Sequence, residues 1–490
     1  MNYSDKQLKI FEAYEDTKQN IAISAAPGAG KTTTLIELLK RTLPTKKCVF
    51  LAFNKSIQQE LEKKTPDNVD TFTLHSIGYR TLLKNAHNRY KLSEIKNWIL
   101  GKQVLDLKHI KNDKQKNVYL FIISRLVDLY RMNLCTTRDE LMEIADKYNI
   151  STINGEIDNT LQLITYLSGY NTMSHKGQML IDYVDMLWLP YSLLNDDKFP
   201  KYNIVMIDES QDLNLLQFDL IQRLMNKRSR FIAVGDPYQA IYSFQGADSD
   251  VFRKIREMPN TINLPLSYSY RCGTKIVERA NTIFDFIESP SGQHDGEVIE
   301  NGVIDDAGRG DLVVCRNNAP LVDAFLYLLK NGVKSVILGK DYEKGLISVL
   351  NKMEDFTQES ITILLDSKKD ELRQKGITNY MNNQSYQNMV EKIYILEQLH
   401  KEFSSVDKLR EVIESMFSDN EKGDAVTLST IHKAKGSEAD NVFVIGFDEL
   451  IPSKYAVTPT ELYAENCFKY VCITRSKRKL IFVNLNSINS

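Results

Sequence analysis

Short apolar runs alternate with helical periodicity over the first 84 positions. Positions 21–23, 48–52 and 69–73 read as buried strands, with helices at 56–64 and 75–84 and another beginning near Thr32. This alternation predicts the start of a parallel α/β sheet. From 85 to about 200 the β-branched runs give way to helical periodicity, at 118–130, 161–167 and 179–189, so the sheet reads as interrupted by a mainly helical insertion. It resumes at 203–207 and 231–234, each run ending in acidic residues. A second series of strands follows at 311–315, 335–338, 425–429, 441–445 and 480–483, with helices at 274–287 and 321–330. Between about 342 and 423 the strands vanish again, and 368–374 and 390–410 read as polar helices. The fold class is α/β, with two parallel-sheet cores, each interrupted by a mainly helical insertion. Segments 1–84 and 200–265 form the first core and 85–199 its insertion; 266–341 and 424–490 form the second core and 342–423 a shorter insertion.

Composition changes this picture little. A chain of 490 residues can bury large cores, and a net charge of −2 means that any nucleic-acid surface must be local. The stretch 84–116 is rich in Lys, including Lys91, Lys96, Lys102 and Lys108, and reads as a solvated helical face in preference to a phosphate-binding strip. Six scattered cysteines lack metal-ligand spacing, which argues against zinc or iron–sulfur and for packing roles in a reducing compartment. No apolar run is long enough to span a membrane, and the start, Met1-Asn2-Tyr3-Ser4, has no signal pattern, so a cytoplasmic location is expected. The chain stops soon after its last motif, at Ser490, which leaves no further nuclease domain in the expectation.

The chemistry begins at Ser24-Ala25-Ala26-Pro27-Gly28-Ala29-Gly30-Lys31-Thr32-Thr33. A strand, a loop of small residues and then Gly-Lys-Thr opening a helix is the phosphate-cradling pattern of nucleotide triphosphatases. Small residues are needed because backbone N–H groups converge on the β- and γ-phosphates, where a side chain would occupy the anion's place. Lys31 supplies a point charge and Thr32 a hydroxyl for Mg²⁺. Ala25 stands where the general pattern has its first Gly. Asp208-Glu209-Ser210-Gln211-Asp212 puts two carboxylates just past a buried strand, where open α/β sheets bind ligands. Asp208 suits a metal and Glu209 an attacking water. Adjacent acids also end ordinary surface strands, and it is the Lys31 loop that gives this pair its meaning.

On these motifs the chain resembles superfamily 1 helicases of the UvrD/Rep type, motif by motif, in the family's order and across both cores, which the resemblance implies are RecA-like. Gln7 resembles the family's adenine-reading glutamine, and 208–212 its Asp-Glu-x-Gln-Asp box. The string 235–247 resembles the motif that senses γ-phosphate through its glutamine, here Gln239. Tyr268-Ser269-Tyr270-Arg271 is similar to Asn-Tyr-Arg, with Ser269 in place of Asn. Residues 430–438 match Thr-x-His-x-x-Lys-Gly-x-Glu, ending at Glu438. Residues 470–476 match the last motif, with Arg475 its arginine and Glu465 its upstream acid, although Asn466 and Cys467 replace the usual basic pair. The resemblance implies that Ala25 to Thr33, Gln7, Tyr270, Arg271, Glu438 and Arg475 bind ATP, with Thr32 and Asp208 on Mg²⁺. It also implies that Lys31, Asp208, Glu209, Gln239, Arg271 and Arg475 carry hydrolysis, the two arginines coming from the second core.

Single-stranded DNA is expected across both cores, held by phosphate contacts and stacking without sequence choice. The resemblance names Phe53, Asn54, Lys55, Thr73, His75, Tyr242, Phe244, Thr430 and His432 for that contact. Phe244 and Gln245 stand where many relatives have Trp-Arg. Taken alone, His75 would more often be a satisfied core histidine, and Tyr242 or Phe244 a packing ring. The expectation is an ATP- and Mg²⁺-dependent DNA helicase acting as a monomer on single strands and junctions, moving 3′ to 5′. A translocase that strips proteins from DNA or RNA without unwinding, and a nucleotide-regulated binding module, are the alternatives.

Overall fold

In the computed structural model the apolar runs of the N-terminal half pair as parallel strands. The residues described are 3–85, 89–108, 110, 113–148, 150, 152, 155–168, 174–175, 178–241, 249–353, 356–374, 380–382, 384–403, 405–418 and 423–488. β1 (Asn20–Ala25), β2 (Cys48–Ala52) and β3 (Val69–Thr73) come first. β2 is buried at every position, as a strand covered on both faces must be. Three short strands, β4 (Tyr90–Leu92), β5 (Ser174–His175) and β6 (Gln178–Ile181), form a small separate sheet. β7 (Ile204–Ile207), β8 (Arg230–Gly235) and β9 (Thr261–Leu266) complete a six-stranded sheet of order β3-β2-β7-β8-β1-β9. All its pairings are parallel. The crossover from β1 to β2 leaves room for β7 and β8 between them, so the carboxyl ends of β7 and β8 lie beside the loop that leaves β1. Register fixes the levels: Ser24 is opposite Gly235, and Ile207 is opposite Ala233.

The C-terminal half builds a seven-stranded, all-parallel sheet. Its strands are β10 (Glu297–Gly302), β11 (Leu312–Cys315), β12 (Ser335–Leu338), β13 (Phe417–Ser418), β14 (Val426–Thr430), β15 (Ala439–Ile445) and β16 (Ser476–Val483). Their order is β10-β16-β15-β11-β14-β12-β13. The chain divides into two compact units, Met1–Ala25 with Gly30–Leu266, and Ser267–Ser490 with the loop tip Ala26–Ala29. All six cysteines are buried thiols. Among the described residues no helix is long and apolar enough to cross a membrane.

The structure corrects several sequence expectations. Gln178–Ile181, read within a helix at 179–189, is a strand, and the helix begins only at Asp185. The expected helix at 390–410 is two, Gln384–Glu402 and Val406–Met416, because the Ser405 side chain caps the second by accepting from Lys408 N. The segment 342–423 is not free of strands, since β13 pairs with β12. The helix at 274–287 stops at Asn281. β4, β5, β9 and β10 are strands that the sequence pattern does not predict.

Lys96 is also not on a solvated face. It is wholly buried, with its Nζ 3.0 Å from Asp182 Oδ2 and in contact with Asp185. Arg131 Nη1 joins them at 3.3 Å from Asp185 Oδ1 and 3.6 Å from Asp182 Oδ2. Asp128 lies beside this group, accepting from Asn97 Nδ2 at 2.9 Å. Burial, and then the charge of Asp182, push the Asp128 carboxyl up to about 7. Below about pH 7, where Asp128 takes up a proton, two cations face two anions, which suits a low-dielectric site.

Two outcomes follow from this network. Lys96→Met leaves Asp182 and Asp185 facing one cation and should cost about 3–5 kcal/mol in urea unfolding. Because the folded-state value of Asp128 lies above its unfolded one, its contribution to stability is present at low pH and is lost as pH rises through about 7. Asp128→Asn should therefore raise the melting temperature more at pH 8 than at pH 5.

Candidate functional site

The loop after β1 is built around two left-handed glycines, Gly28 at φ 71° and Gly30 at φ 79°, a conformation that costs other residues far more. Gly30 caps the helix Lys31–Lys40, so the first turn of that helix offers its N–H groups at the loop. Ala25, Ala26, Pro27 and Ala29 are buried, and the turn is closed by Ala29 N donating to Ala26 O at 3.2 Å. Thr33 points to solvent. Gln7 is buried above this helix, its Nε2 donating to Thr34 Oγ1 at 3.1 Å while its Oε1 accepts from Ser4 N. Thr34 in turn donates to Gly30 O at 2.9 Å.

The ends of β7 and β8 bring acids to this loop. Thr32 Oγ1 donates to Asp208 Oδ2 at 2.9 Å, and Lys31 Nζ lies 3.6 Å from Glu209 Oε1. Glu209 has φ 52°, a left-handed conformation in a residue with a full side chain, and such strain gathers at functional sites. Its backbone N–H donates to Asp208 Oδ1 at 2.8 Å. Burial, then the charge of Glu209, push Asp208 up to about 6, with Lys31 and the Thr32 hydroxyl pulling it back. Asp236, wholly buried at the end of β8, is likewise raised to about 6 by burial, opposed by Lys31 and by its own donors. Those donors are Tyr238 N at 3.0 Å and the Nε2 of Gln239 at 2.8 Å. Three acids thus gather around one lysine. A hydroxyl and a carboxylate side by side, in a pocket short of positive charge, form an oxygen donor set that fits Mg²⁺.

A cavity of about 210 Å³ adjoins the acids. Its walls include Asp208, Glu209, Phe53 and His75, so two residues expected at the nucleic acid lie near the expected catalytic pair. Phe53 is 48% exposed. Asn54 caps the helix Lys55–Glu62 by accepting from Ile57 N, and Lys55 opens that helix in solvent. Thr73 ends β3 and accepts from Ser76 N. His75 stands edge-on to Tyr183 at 6.3 Å, its pKa lowered by burial. Tyr242 and Phe244 lie outside the described residues.

In the second unit the motif residues converge on Thr474, just before β16. Arg271 Nη1 donates to Thr474 O at 3.2 Å, and its Nη2 lies 2.5 Å from Glu438 Oε2. Arg475 is buried, donating from Nε to Val471 O at 3.1 Å and from Nη1 to Ser437 O at 3.3 Å. Its Nη2 lies 3.5 Å from Thr474 Oγ1. Burial raises the pKa of Glu438, but Arg271 and Lys477 outweigh it and hold the carboxyl below its usual range. Tyr270 is 51% exposed. Ser269, at the position of the family's Asn, accepts from Cys272 N at 3.3 Å. Thr430 precedes the short helix Ile431–Ala434, and His432 packs edge-on against Phe468 at 4.6 Å. Burial and the Arg316 charge push His432 down to about 4.

Three residues of these sites escaped the sequence reading. Asp236 and Gln211 sat inside quoted motifs without a role; their place beside expected chemistry was the available signal. Arg316, at the end of β11, bonds Glu465 Oε1 at 3.0 Å and stacks on Phe468 at 4.5 Å. It carried no motif signal.

The family model of the UvrD/REP helicase N-terminal domain matches residues 4–260. The chain is 23% identical to F-box DNA helicase protein 1 of Schizosaccharomyces pombe, over 98% of this chain and 57% of that protein. It is 22% identical to the ATP-dependent DNA helicase Rep of Buchnera aphidicola from Acyrthosiphon pisum, over 98% of this chain and 94% of Rep. A match to the ATP-dependent DNA helicase PcrA of Staphylococcus aureus, at 24% identity, covers 56% of this chain and 39% of PcrA. The chain therefore spans little more than half the length of the first of these relatives and nearly the whole of the second.

Proposed function

The chain belongs to the UvrD/Rep helicase family, and from that premise we propose that it is an ATP-dependent DNA helicase that moves along single-stranded DNA. The observation that carries the reading is the meeting, in one unit, of Thr32 with Asp208 at 2.9 Å and of Lys31 with Glu209 at 3.6 Å. Phosphoryl transfer needs these parts together: a cation on the β- and γ-phosphates, an anchor for the metal and an acceptor for the attacking water. Lys31 and the backbone of 25–33 bind the triphosphate. Thr32 and Asp208 would hold Mg²⁺, which supplies charge neutralisation at the phosphates when bound. Glu209 takes the proton of the water, and Gln239 senses the γ-phosphate from its bond to Asp236. Gln7 reads the adenine and Tyr270 stacks on it. Arg271, Arg475 and Glu438 bind the nucleotide as well, and the two guanidiniums stabilise charge that develops during transfer. The division into two cores with insertions at 85–199 and 342–423 belongs to the same reading.

DNA is the proposed track, contacted by Phe53, Asn54, Lys55, Thr73, His75, Thr430 and His432, with Tyr242 and Phe244 completing the set. The exposure of Phe53 supports stacking on a base. Movement is 3′ to 5′, by a monomer, and the chain works in the cytoplasm.

Displacement of tailed DNA duplexes tests the reading, with RNA duplexes as the comparison. ATP-dependent displacement of DNA is expected, and turnover with no displacement on any substrate would reduce the protein to a translocase. A substrate with a central single-stranded segment reads the direction. Lys31→Ala should abolish ATP turnover while DNA binding stays nearly unchanged; undiminished turnover would mean that this loop is not the site. Phe53→Ala should weaken single-strand binding by roughly 1–3 kcal/mol in a fluorescence titration if the ring stacks on a base.

A further inference from the structure

Gln211 is 99% buried, being only 1% exposed, and both ends of its amide are spoken for. Its Oε1 accepts from Asp236 N at 3.0 Å, and its Nε2 donates to Glu209 Oε2 at 2.5 Å. The assignment of the two ends follows from chemistry: a backbone N–H demands the oxygen, and a carboxylate demands the NH₂. The space Gln211 fills is reserved for it. A Cβ at Gly235 would lie 2.7 Å from Gln211 Oε1 and 2.7 Å from Ser210 Oγ, so only glycine at the end of β8 lets this side chain lie there. Ser210 pins the same turn by donating to Val234 O at 2.8 Å.

Glu209 hangs from a left-handed backbone and keeps its other oxygen, Oε1, 3.6 Å from Lys31. Its side chain is 26% exposed, and a carboxylate at the mouth of a cavity has several rotamers open to it. A general base works only when its lone pair is aimed at the proton it takes, and misplacement by about 1 Å can cost about a hundredfold. We infer that Gln211 is a positioning residue, which aims the Glu209 carboxylate at the attacking water by holding Oε2. The inference rests on the reading of Glu209 as the base. It also ties that base to the γ-phosphate sensor, because Asp236, whose N–H holds Gln211, accepts from Gln239 through its carboxylate.

The test is a double-mutant cycle on ATP turnover at saturating Mg-ATP and oligo(dT). Gln211→Met keeps the reach of the side chain and removes both bonds; kcat should fall about tenfold to a hundredfold, with the KM for ATP within about threefold of the parent. Glu209→Gln should itself lower kcat by about a hundredfold or more. In the Glu209→Gln background, Gln211→Met should cost almost nothing further, because the group it aims is gone. Losses that multiply, or a Gln211→Met enzyme with unchanged kcat, would overturn the inference. Should Gln211→Met fail to fold, Gln211→Asn keeps an amide that is one methylene too short to reach both Asp236 N and Glu209 Oε2, and the same cycle is read on it. Full turnover by Glu209→Gln is a separate result, which would overturn the assignment of the base itself.

Discussion

Three carboxylates around a single ammonium are the constraint on which the first unit is built. Asp208 and Asp236 are buried at the ends of neighbouring strands, Glu209 stands beside them, and Lys31 is the cation set against all three. Each ionised carboxylate taken from water costs several kcal/mol unless something repays it. The repayment comes in hydrogen bonds: the Thr32 hydroxyl and Glu209 N–H on Asp208, Tyr238 N–H and the Gln239 amide on Asp236, and the Gln211 amide on Glu209. Even so the balance is short of positive charge, and burial drives Asp208 and Asp236 up to about 6. A site in that condition favours any ligand that sets positive charge beside its carboxylates.

The second unit solves the opposite problem. Guanidinium groups stay charged at any relevant pH, so a buried arginine must be surrounded by acceptors. Arg475 is given the carbonyls of Val471 and Ser437, and Arg271 the carbonyl of Thr474 together with Glu438. Both sets of acceptors come from two places in the chain, the C-terminal end of the helix Pro459–Ile473 with its cap Thr474, and the segment 437–438 ahead of β15. The two arginines are therefore oriented by the same two short stretches of chain, Arg475 through backbone carbonyls and Arg271 through one carbonyl and the Glu438 carboxylate. Lys477 helps by sharing Glu438 at 2.9 Å, which keeps that carboxyl ionised and available to Arg271.

What was legible in the sequence follows from how each segment is buried. β2 is covered on both faces, and its unbroken apolar run was read with the right bounds. β9 alternates Ile262, Leu264 and Leu266 with Thr261, Asn263 and Pro265, but a proline inside the run argues against a strand, and β10 is mostly Glu, Asn and Gly at a sheet edge with neither a continuous run nor alternation. The mistaken helix at 390–410 hid its break because Ser405 looks like any polar position until its side chain is found on Lys408 N. Lys96 was misread for a related reason: lysine in a basic stretch signals solvent, and only the fold brings Asp182 and Asp185 to it. The loop and the acids were legible because their chemistry demands particular residues at particular spacings. The role of Gln211 was not, since it depends on one amide meeting two partners that the sequence does not set side by side.

The substitution at Ala25 shows how far such motif reading reaches. As a departure from Gly it suggests a loop held back from its anion at the start. In the fold, however, Ala25 is the last residue of β1, paired in register with Leu266 of β9 and wholly buried. Its methyl group belongs to the packing of the sheet, where alanine is at home. Three and five residues later, at Gly28 and Gly30, the backbone turns left-handed, a conformation that costs a residue with a Cβ about 1–2 kcal/mol and glycine nothing. The motif's positions are thus not equivalent: Ala25 obeys the sheet, while Gly28 and Gly30 obey the left-handed turns of the loop.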